Sequence, residues 1–280
     1  MKELSDKERQ NELAKRFHAL HHTGEMLILA NAWDCLSAKM IEHCGFPAVA
    51  TTSSGMSWTL GYKDGEHIPP QLMVEAVGRI AQSVSVPVTA DIEGGYYRDD
   101  LDKFSQFISS VIDAGVIGIN IEDGHAHSER LDDIESQAKE IAAAKEVGER
   151  KGIDLFVNAR TDAMLLPLEP NAKIEACIER AKAFQKAGAD CIFIPFIRDM
   201  DTIAGLKSGI ELPLNILMTN TLDVEALRSL KVERVSVGAR PAMAAMHLLK
   251  EIAADLRSTS DWHKLFINDP SYEELNEWFI

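Results

Sequence analysis

From about residue 26 onward, short apolar runs alternate with longer stretches of helical periodicity. The apolar runs are four to six residues long and rich in β-branched side chains. They predict eight strands: Met26–Ala30, Ala48–Thr51, Val86–Ala90, Ile117–Ile121, Leu155–Asn158, Cys191–Ile194, Leu214–Leu217 and Arg234–Val237. Between and after them the spacing predicts helices over 35–43, 70–84, 100–114, 133–150, 171–187, 200–208, 223–230 and 240–256. Several helices end in a glycine just before the next strand, as at Gly45, Gly115 and Gly188. Glycine there suits a left-handed helix cap. Strict alternation implies parallel strands with right-handed crossovers. Eight such units match a (β/α)8 TIM-type barrel, with a doubly wound open sheet as the alternative. No Gly-x-Gly-x-x-Gly follows the first strand and no Walker loop is present, which argues against a nucleotide fold.

The two ends differ from this pattern. Residues 6–22 predict a leading helix within a 1–24 extension, with His18, His21 and His22 at a solvated helix end. Residues 257–280 predict a C-terminal helical extension, with helix-start signals at 259–261 and 269–271. Its Trp262, Phe266, Tyr272, Trp278 and Phe279 carry much apolar area that must be buried, on the chain's own barrel or on another subunit. The reading is a single barrel domain over 1–280.

The 280 residues are 46% hydrophobic and 26% charged, enough for a sizeable core. Twenty-nine basic against 44 acidic residues give a net charge of −15, which disfavours nucleic acid and anionic membrane as partners. No apolar run approaches the roughly 18 residues of a membrane helix. The N-terminus lacks a signal pattern, and the four cysteines (Cys35, Cys44, Cys177 and Cys191) show no paired spacing. A cytoplasmic protein with reduced thiols is expected.

In a barrel of this kind the chemistry collects at the C-terminal strand ends. Those ends carry Asn31 to Asp34, Thr51 to Gly55, Asp91 and Glu93, Glu122 to His125, Asn158 to Asp162, Asn215 and Arg240. Only the sixth strand ends apolar, at Pro195 and Phe196. Asp91 and Glu93 are two residues apart, so a continuing strand would aim both at one point. With Glu122 on the next strand, three acids would lie together and require a counter-charge. A hard divalent cation meets that need, and ordinary rim ion pairs with Arg160 are the plainer alternative. No Cys or His cluster suits zinc. Ser53, Ser54 and Gly55 offer hydroxyls and amide donors in a turn fit for a carboxylate or phosphonate. Arg160 could grip a carboxylate bidentately, or pair with Asp162 or Glu122. His125 and His127 flank a polar loop after Glu122 that either covers the site or is simply solvated.

Taken in order, these segments resemble the isocitrate lyase / phosphoenolpyruvate mutase superfamily over about residues 25–256. The resemblance is carried by Asn31-Ala-Trp-Asp34, Ser53-Ser-Gly55, the strand from Val86 to Glu93 with its Gly-Gly-Tyr, Ile121-Glu-Asp123, Asn158-Ala-Arg-Thr-Asp-Ala163 and Arg234-Val-Ser-Val-Gly238. It implies a (β/α)8 barrel, often with the eighth helix exchanged between subunits, in a dimer or tetramer. It implies Mg2+, with Mn2+ as an alternative ion, and a small 2-oxo or 2-hydroxy carboxylate substrate. By position, Asp91 resembles the direct metal ligand, with Glu93 where the family more often has a second Asp. Glu122 resembles a ligand acting through water, and Asp64 the acid that holds a metal-bound water. Ser53, Ser54 and Gly55 resemble the carboxylate- or phosphonate-binding turn, Arg160 the carboxylate clamp and Asn215 a further substrate contact.

The departures are equally specific. The lyases of this superfamily carry a Lys-Cys-Gly-His loop soon after the strand-four Glu, and the mutases a lysine there. Here residues 122–130 contain neither Lys nor Cys, leaving His125 and His127 as the nearest proton donors. Strand six also lacks the lyases' Glu. The expectation is a Mg2+-dependent lyase cleaving a C–C bond through an enolate. A C–P phosphonomutase or hydrolase is the alternative within the family. A non-catalytic 2-oxo acid binder is the alternative outside enzyme chemistry.

Overall fold

A computed structural model describes residues 4–125, 130–258, 262–266 and 270–279. Nine strand segments, all paired in parallel, form its sheet. They are β1 (Leu27–Leu29), β2 (Asn31–Ala32), β3 (Val49–Thr51), β4 (Val88–Asp91), β5 (Gly118–Glu122), β6 (Phe156–Arg160), β7 (Cys191–Ile194), β8 (Leu214–Leu217) and β9 (Arg234–Ser236). The first expected strand, Met26–Ala30, holds β1, and after a break at Ala30 a second segment, β2, continues beyond its expected end. β1 pairs with β9 and β2 with β3, so this interrupted strand brings the ring round into a nearly closed barrel. The Asn31 side chain bridges the seam. Its Nδ2 donates to Thr51 O at 2.8 Å, and its Oδ1 accepts from Val237 N at 3.0 Å and Gly238 N at 2.9 Å.

The helices follow the expected register. They are α1 (Asp6–Leu20), α2 (Cys35–His43), α3 (Ser53–Thr59), α4 (Pro70–Ser83), α5 (Leu101–Asp113), α6 (Ile134–Lys151), α7 (Pro170–Lys186), α8 (Met200–Gly209), α9 (Val224–Ser229), α10 (Arg240–Ser258) and α11 (Tyr272–Glu277). Side-chain oxygens of Asp34, Asp100, Asp133, Asp199 and Asp223 accept first-turn amides, satisfying donors that a helix start leaves orphaned. Gly45, Gly115 and Gly188 sit at φ of 83°, 100° and 99°, as the helix-cap reading requires.

Two flanking expectations change. The end of α1 is solvated only in part, with His22 exposed and His21 buried. His21 is buried, with Nδ1 2.9 Å from Phe17 O and its ring stacked 4.3 Å from that of Phe156. Burial first, and Arg234 second, push its pKa down to about 3, so it stays neutral. Most of the tail aromatics also stay uncovered within one chain, although the Trp278 ring packs on His43 with centroids 4.6 Å apart. Phe266 and Tyr272 are 70% and 78% exposed. In α10 only Ala242 is buried, while Met243, Met246 and Leu249 face outward. The eighth helix therefore does not seal its own barrel. Among the described residues no helix is long and apolar enough to cross a membrane.

Period-two alternation puts a polar layer inside the barrel. Asn120 and Glu122 share one face of β5, as Asn158 and Arg160 do on β6. Asn158 Nδ2 donates to Asn120 Oδ1 at 2.8 Å. Arg234, fully buried on β9, spans the barrel to the same oxygen with its Nη2 at 3.3 Å.

Candidate active site

The acidic rim is built by β4 and β5. Asp91 is the last residue of β4. Its backbone N donates to Thr51 Oγ1 at 2.9 Å, and its Oδ2 accepts from Ser53 N at 3.3 Å. Ser53, Ser54 and Gly55 are not a loop but the first turn of α3, with Thr52 as N-cap. The seven-residue helix escapes sequence reading because Ser, Ser and Gly are poor helix formers. A Cβ on Gly55 would stand 2.8 Å from both Thr52 Cγ2 and Trp33 Cβ, so this turn is packed to contact.

Glu93 does not continue the strand. Its φ is 54°, so the i, i+2 rule no longer applies beyond Asp91. Its carboxylate turns to accept Glu66 N at 2.6 Å. Burial, followed by the charges of Asp91 and Asp64, pushes its pKa up to about 8. Glu122 is drawn the other way, into an ion pair with Arg160 Nη1. Burial pushes the Glu122 pKa up against the pull of Arg160, with Asp162, Asp91 and Glu93 adding to the rise.

The expected convergence of Asp91, Glu93 and Glu122 on one point is therefore not what the chain shows. Among the described residues no group of three or more His, Cys, Asp or Glu side chains is gathered closely enough to hold an ion. The acids feel one another's charge, but Glu66 and Arg160 hold two of them apart. Their chemistry still fits a hard cation. All offer carboxylate oxygen, and the charge of Asp91 raises the pKa of both Glu93 and Glu122, a strain that a divalent ion relieves.

Arg160 is engaged on both sides. Its Nε and Nη2 donate to Asp162 at 2.7 and 2.8 Å, and Nη1 meets Glu122. The rings of Phe193 and Phe196 lie 5.8 and 5.7 Å from its guanidinium carbon. The apolar end of β7 thus supplies an aromatic wall for the arginine. Phe196 holds φ at 67°, which no sequence signal announced. Asn215 is fully buried beside Arg234, and neither side-chain polar atom has a hydrogen-bond partner. His125 places Nε2 2.9 Å from Asp132 Oδ1, and His127 lies outside the described residues. Sequence reasoning quoted Asp123 only as part of a strand end and gave it no role, yet it is fully buried. Its carboxylate accepts Asp162 N at 2.9 Å and Arg180 Nη1 at 2.8 Å.

Residues 17–257 match the family of phosphoenolpyruvate phosphomutase. The chain belongs to that family. An uncharacterised protein of Mycobacterium tuberculosis is 36% identical over 259 residues, covering 92% of this chain and 94% of the relative. The 2-methylisocitrate lyase of Bacillus subtilis is 26% identical over 217 residues, 75% of this chain and 68% of that enzyme. A solved candidate phosphonomutase of Burkholderia cenocepacia superposes with a TM-score of 0.83 at 34% identity, over 88% of this chain and 99% of that one. Lyases and mutases of the isocitrate lyase / phosphoenolpyruvate mutase superfamily are thus the chain's relatives.

Proposed function

We propose that this protein is a Mg2+-dependent lyase that cleaves a C–C bond in a small 2-oxo or 2-hydroxy carboxylate. The observation that carries the proposal is the acidic rim centred on Asp91, with Glu93 driven up to about 8 and Arg160 facing it across Glu122. Asp91 is the direct ligand, with Glu93, Asp64 and Glu122 acting directly or through water. When bound, Mg2+ supplies a Lewis acid that polarises the substrate's oxygens.

The chain's own groups do the rest. The substrate carboxylate lies against the Ser53–Gly55 turn, where hydroxyls and first-turn amides donate to its oxygens. Arg160 is pre-aimed by its two bonds to Asp162, so its Nη1 edge can shift from Glu122 to the oxygen where negative charge gathers as the C–C bond breaks. Such prepositioned donors typically lower a barrier by roughly 3 kcal/mol. Phe193 and Phe196 screen that edge from water. Asn215 offers a buried amide for a further substrate oxygen. His125, oriented by Asp132, is the proton donor nearest the site, with His127 of the same loop beside it in sequence. The missing loop lysine and cysteine mean that proton transfer differs from that in the named lyases.

Likeness to the candidate phosphonomutase supports a second reading, cleavage or rearrangement of a C–P bond. The exposed apolar face of α10 supports a homo-oligomer in which this helix is exchanged. A groove of about 280 Å³ beside α2, lined by Trp33, Leu36, Met40, Ile41 and Pro241, offers a place for a partner's helix.

The test is product detection with Mg2+ and a panel of 2-oxo and 2-hydroxy di- and tricarboxylates, alongside phosphonopyruvate. Release of a 2-oxo acid that is lost in Asp91→Ala is expected. Turnover by Asp91→Ala in chelator removes the metal mechanism. Tight binding with no product from any substrate makes the chain a 2-oxo acid binder instead.

A further inference from the structure

Among the described residues, three of the five non-glycine residues at positive φ stand in one small network: Glu66 at 61°, Glu93 at 54° and Tyr96 at 66°. Residues with a Cβ persist in this region only where their surroundings over-determine them. The contacts that do so can be traced. Glu66 N donates to Glu93 Oε2 at 2.6 Å, and Glu66 Oε1 accepts from Tyr96 N at 2.7 Å. Glu66 therefore ties both ends of the turn that follows β4.

Its other oxygen faces Arg98, with Nε to Oε2 at 3.7 Å. From there the guanidinium reaches the end of β5. Arg98 Nη2 donates to Gly124 O at 2.8 Å, and Nη1 pairs with Asp132 and lies 3.4 Å from Glu122 O. Asp132 in turn contacts His125, and its backbone N donates to Asp123 O at 2.8 Å. Gly94 makes room for the arm. A Cβ there would fall 1.6 Å from Arg98 Nη2. The side chain makes no hydrogen bond to the carboxylate of Glu93 or of Glu122.

We propose that Arg98 is a positioning residue that locks the strained turn carrying Glu93 against the strand end carrying Glu122. The lock sets the spacing of the two carboxylates through Glu66 and the β5 carbonyls. Arg98 belongs to none of the segments from which the site was assembled. The inference rests on the metal reading above, because spacing of the acids matters most if they serve one cation.

The test uses three variants of the full chain. Arg98→Met keeps the stem and removes every donor. Arg98→Lys keeps the charge and a single ammonium. Gly94→Ala leaves Arg98 in place but fills the space that its guanidinium occupies. Mg2+ affinity is read by titration calorimetry, and amide exchange is read over residues 92–97. Arg98→Met and Gly94→Ala should each weaken Mg2+ about 10–100-fold, the usual effect of removing a group that orients ligands. Both should speed exchange in the turn, and Arg98→Lys should recover part of each loss. Folded variants with Mg2+ affinity within twofold of the parent and unchanged exchange overturn the proposal. If the parent chain binds no Mg2+, the metal reading fails, and the exchange comparison alone then decides whether Arg98 is the lock.

Discussion

Replacing Arg234 by methionine should make the protein more stable. The guanidinium is fully buried and receives one hydrogen-bond acceptor, Asn120 Oδ1 at 3.3 Å. Its Nε and Nη1 have no hydrogen-bond partner. Phe17 lies 5.8 Å below as a cation–π neighbour, a modest compensation. Burial pulls the Arg234 pKa down to about 10 from 12.5, partly opposed by Cys191 and Asp91. That difference corresponds to roughly 3 kcal/mol. A lowered folded-state value on a cation means the cost is present in full at pH 7 and is relieved only as pH rises through about 10. Methionine keeps most of the volume without the charge, and such replacements commonly gain about 1–4 kcal/mol. We expect Arg234→Met to raise the unfolding free energy by about 1–3 kcal/mol in urea titration at pH 7. The melting temperature should rise about 2–4 °C for each kcal/mol. Arg234→Ala, which leaves a cavity, should show no such gain. A loss of more than about 1 kcal/mol in Arg234→Met would refute the reasoning, because the charge would then be balanced by more than the contacts named.

Three further outcomes follow from the rim and the outer face. Glu93 keeps its proton in the folded metal-free protein up to about 8, while the unfolded chain loses it near 4.5, so stability should fall as pH rises across that window. Differential scanning fluorimetry at pH 6 and 8.5 checks this, and added Mg2+ should raise the melting temperature more at the higher pH. Arg160→Met should lower kcat/KM about 100-fold or more, with little rescue by lysine, which cannot reproduce the fork held by Asp162. A loss below tenfold removes Arg160 from the charge-stabilising role. Met246→Asp with Leu249→Asp should convert an oligomer to monomers in light scattering, whereas a monomeric parent chain at tens of micromolar ends the helix-exchange idea.

The alternation of strands and helices was legible because parallel barrel strands are buried on both faces and read as apolar runs. Cap glycines marked several helix ends, and α6 starts at Ile134, one residue inside the expected 133–150, with Asp133 as its N-cap. Neither the break at Ala30 nor the start of α3 at Ser53 carries a local signal, since both are set by packing. Asp91, Glu93, Glu122 and Arg160 lie at the expected rim, and the pairing of Arg160 with Glu122 and Asp162 is one of the two readings its position left open, but the convergence of the three acids is not observed. Glu93 was expected to follow the strand's two-residue period, whereas a positive φ rotates it onto Glu66. Arg98 went unnamed, and Asp123 and Arg234 were given no role of their own, for one reason. Their roles depend on partners 26 to 114 positions away, which no short motif displays.

The seam at Asn31 carries a consequence for the order of assembly. Its amide joins backbone groups 206 and 207 residues distant, so this contact closes the longest loop in the barrel. Loop-closure entropy delays such contacts until nearer ones are made. The acids lie on β4 and β5, which pair with strands adjacent in sequence on the far side of the ring. Folding should therefore assemble the charged half first, as consecutive units emerge, and zip the ring shut at Asn31 last. Asn31→Ala should then speed unfolding far more than it slows refolding, the kinetic mark of a bond made after the transition state.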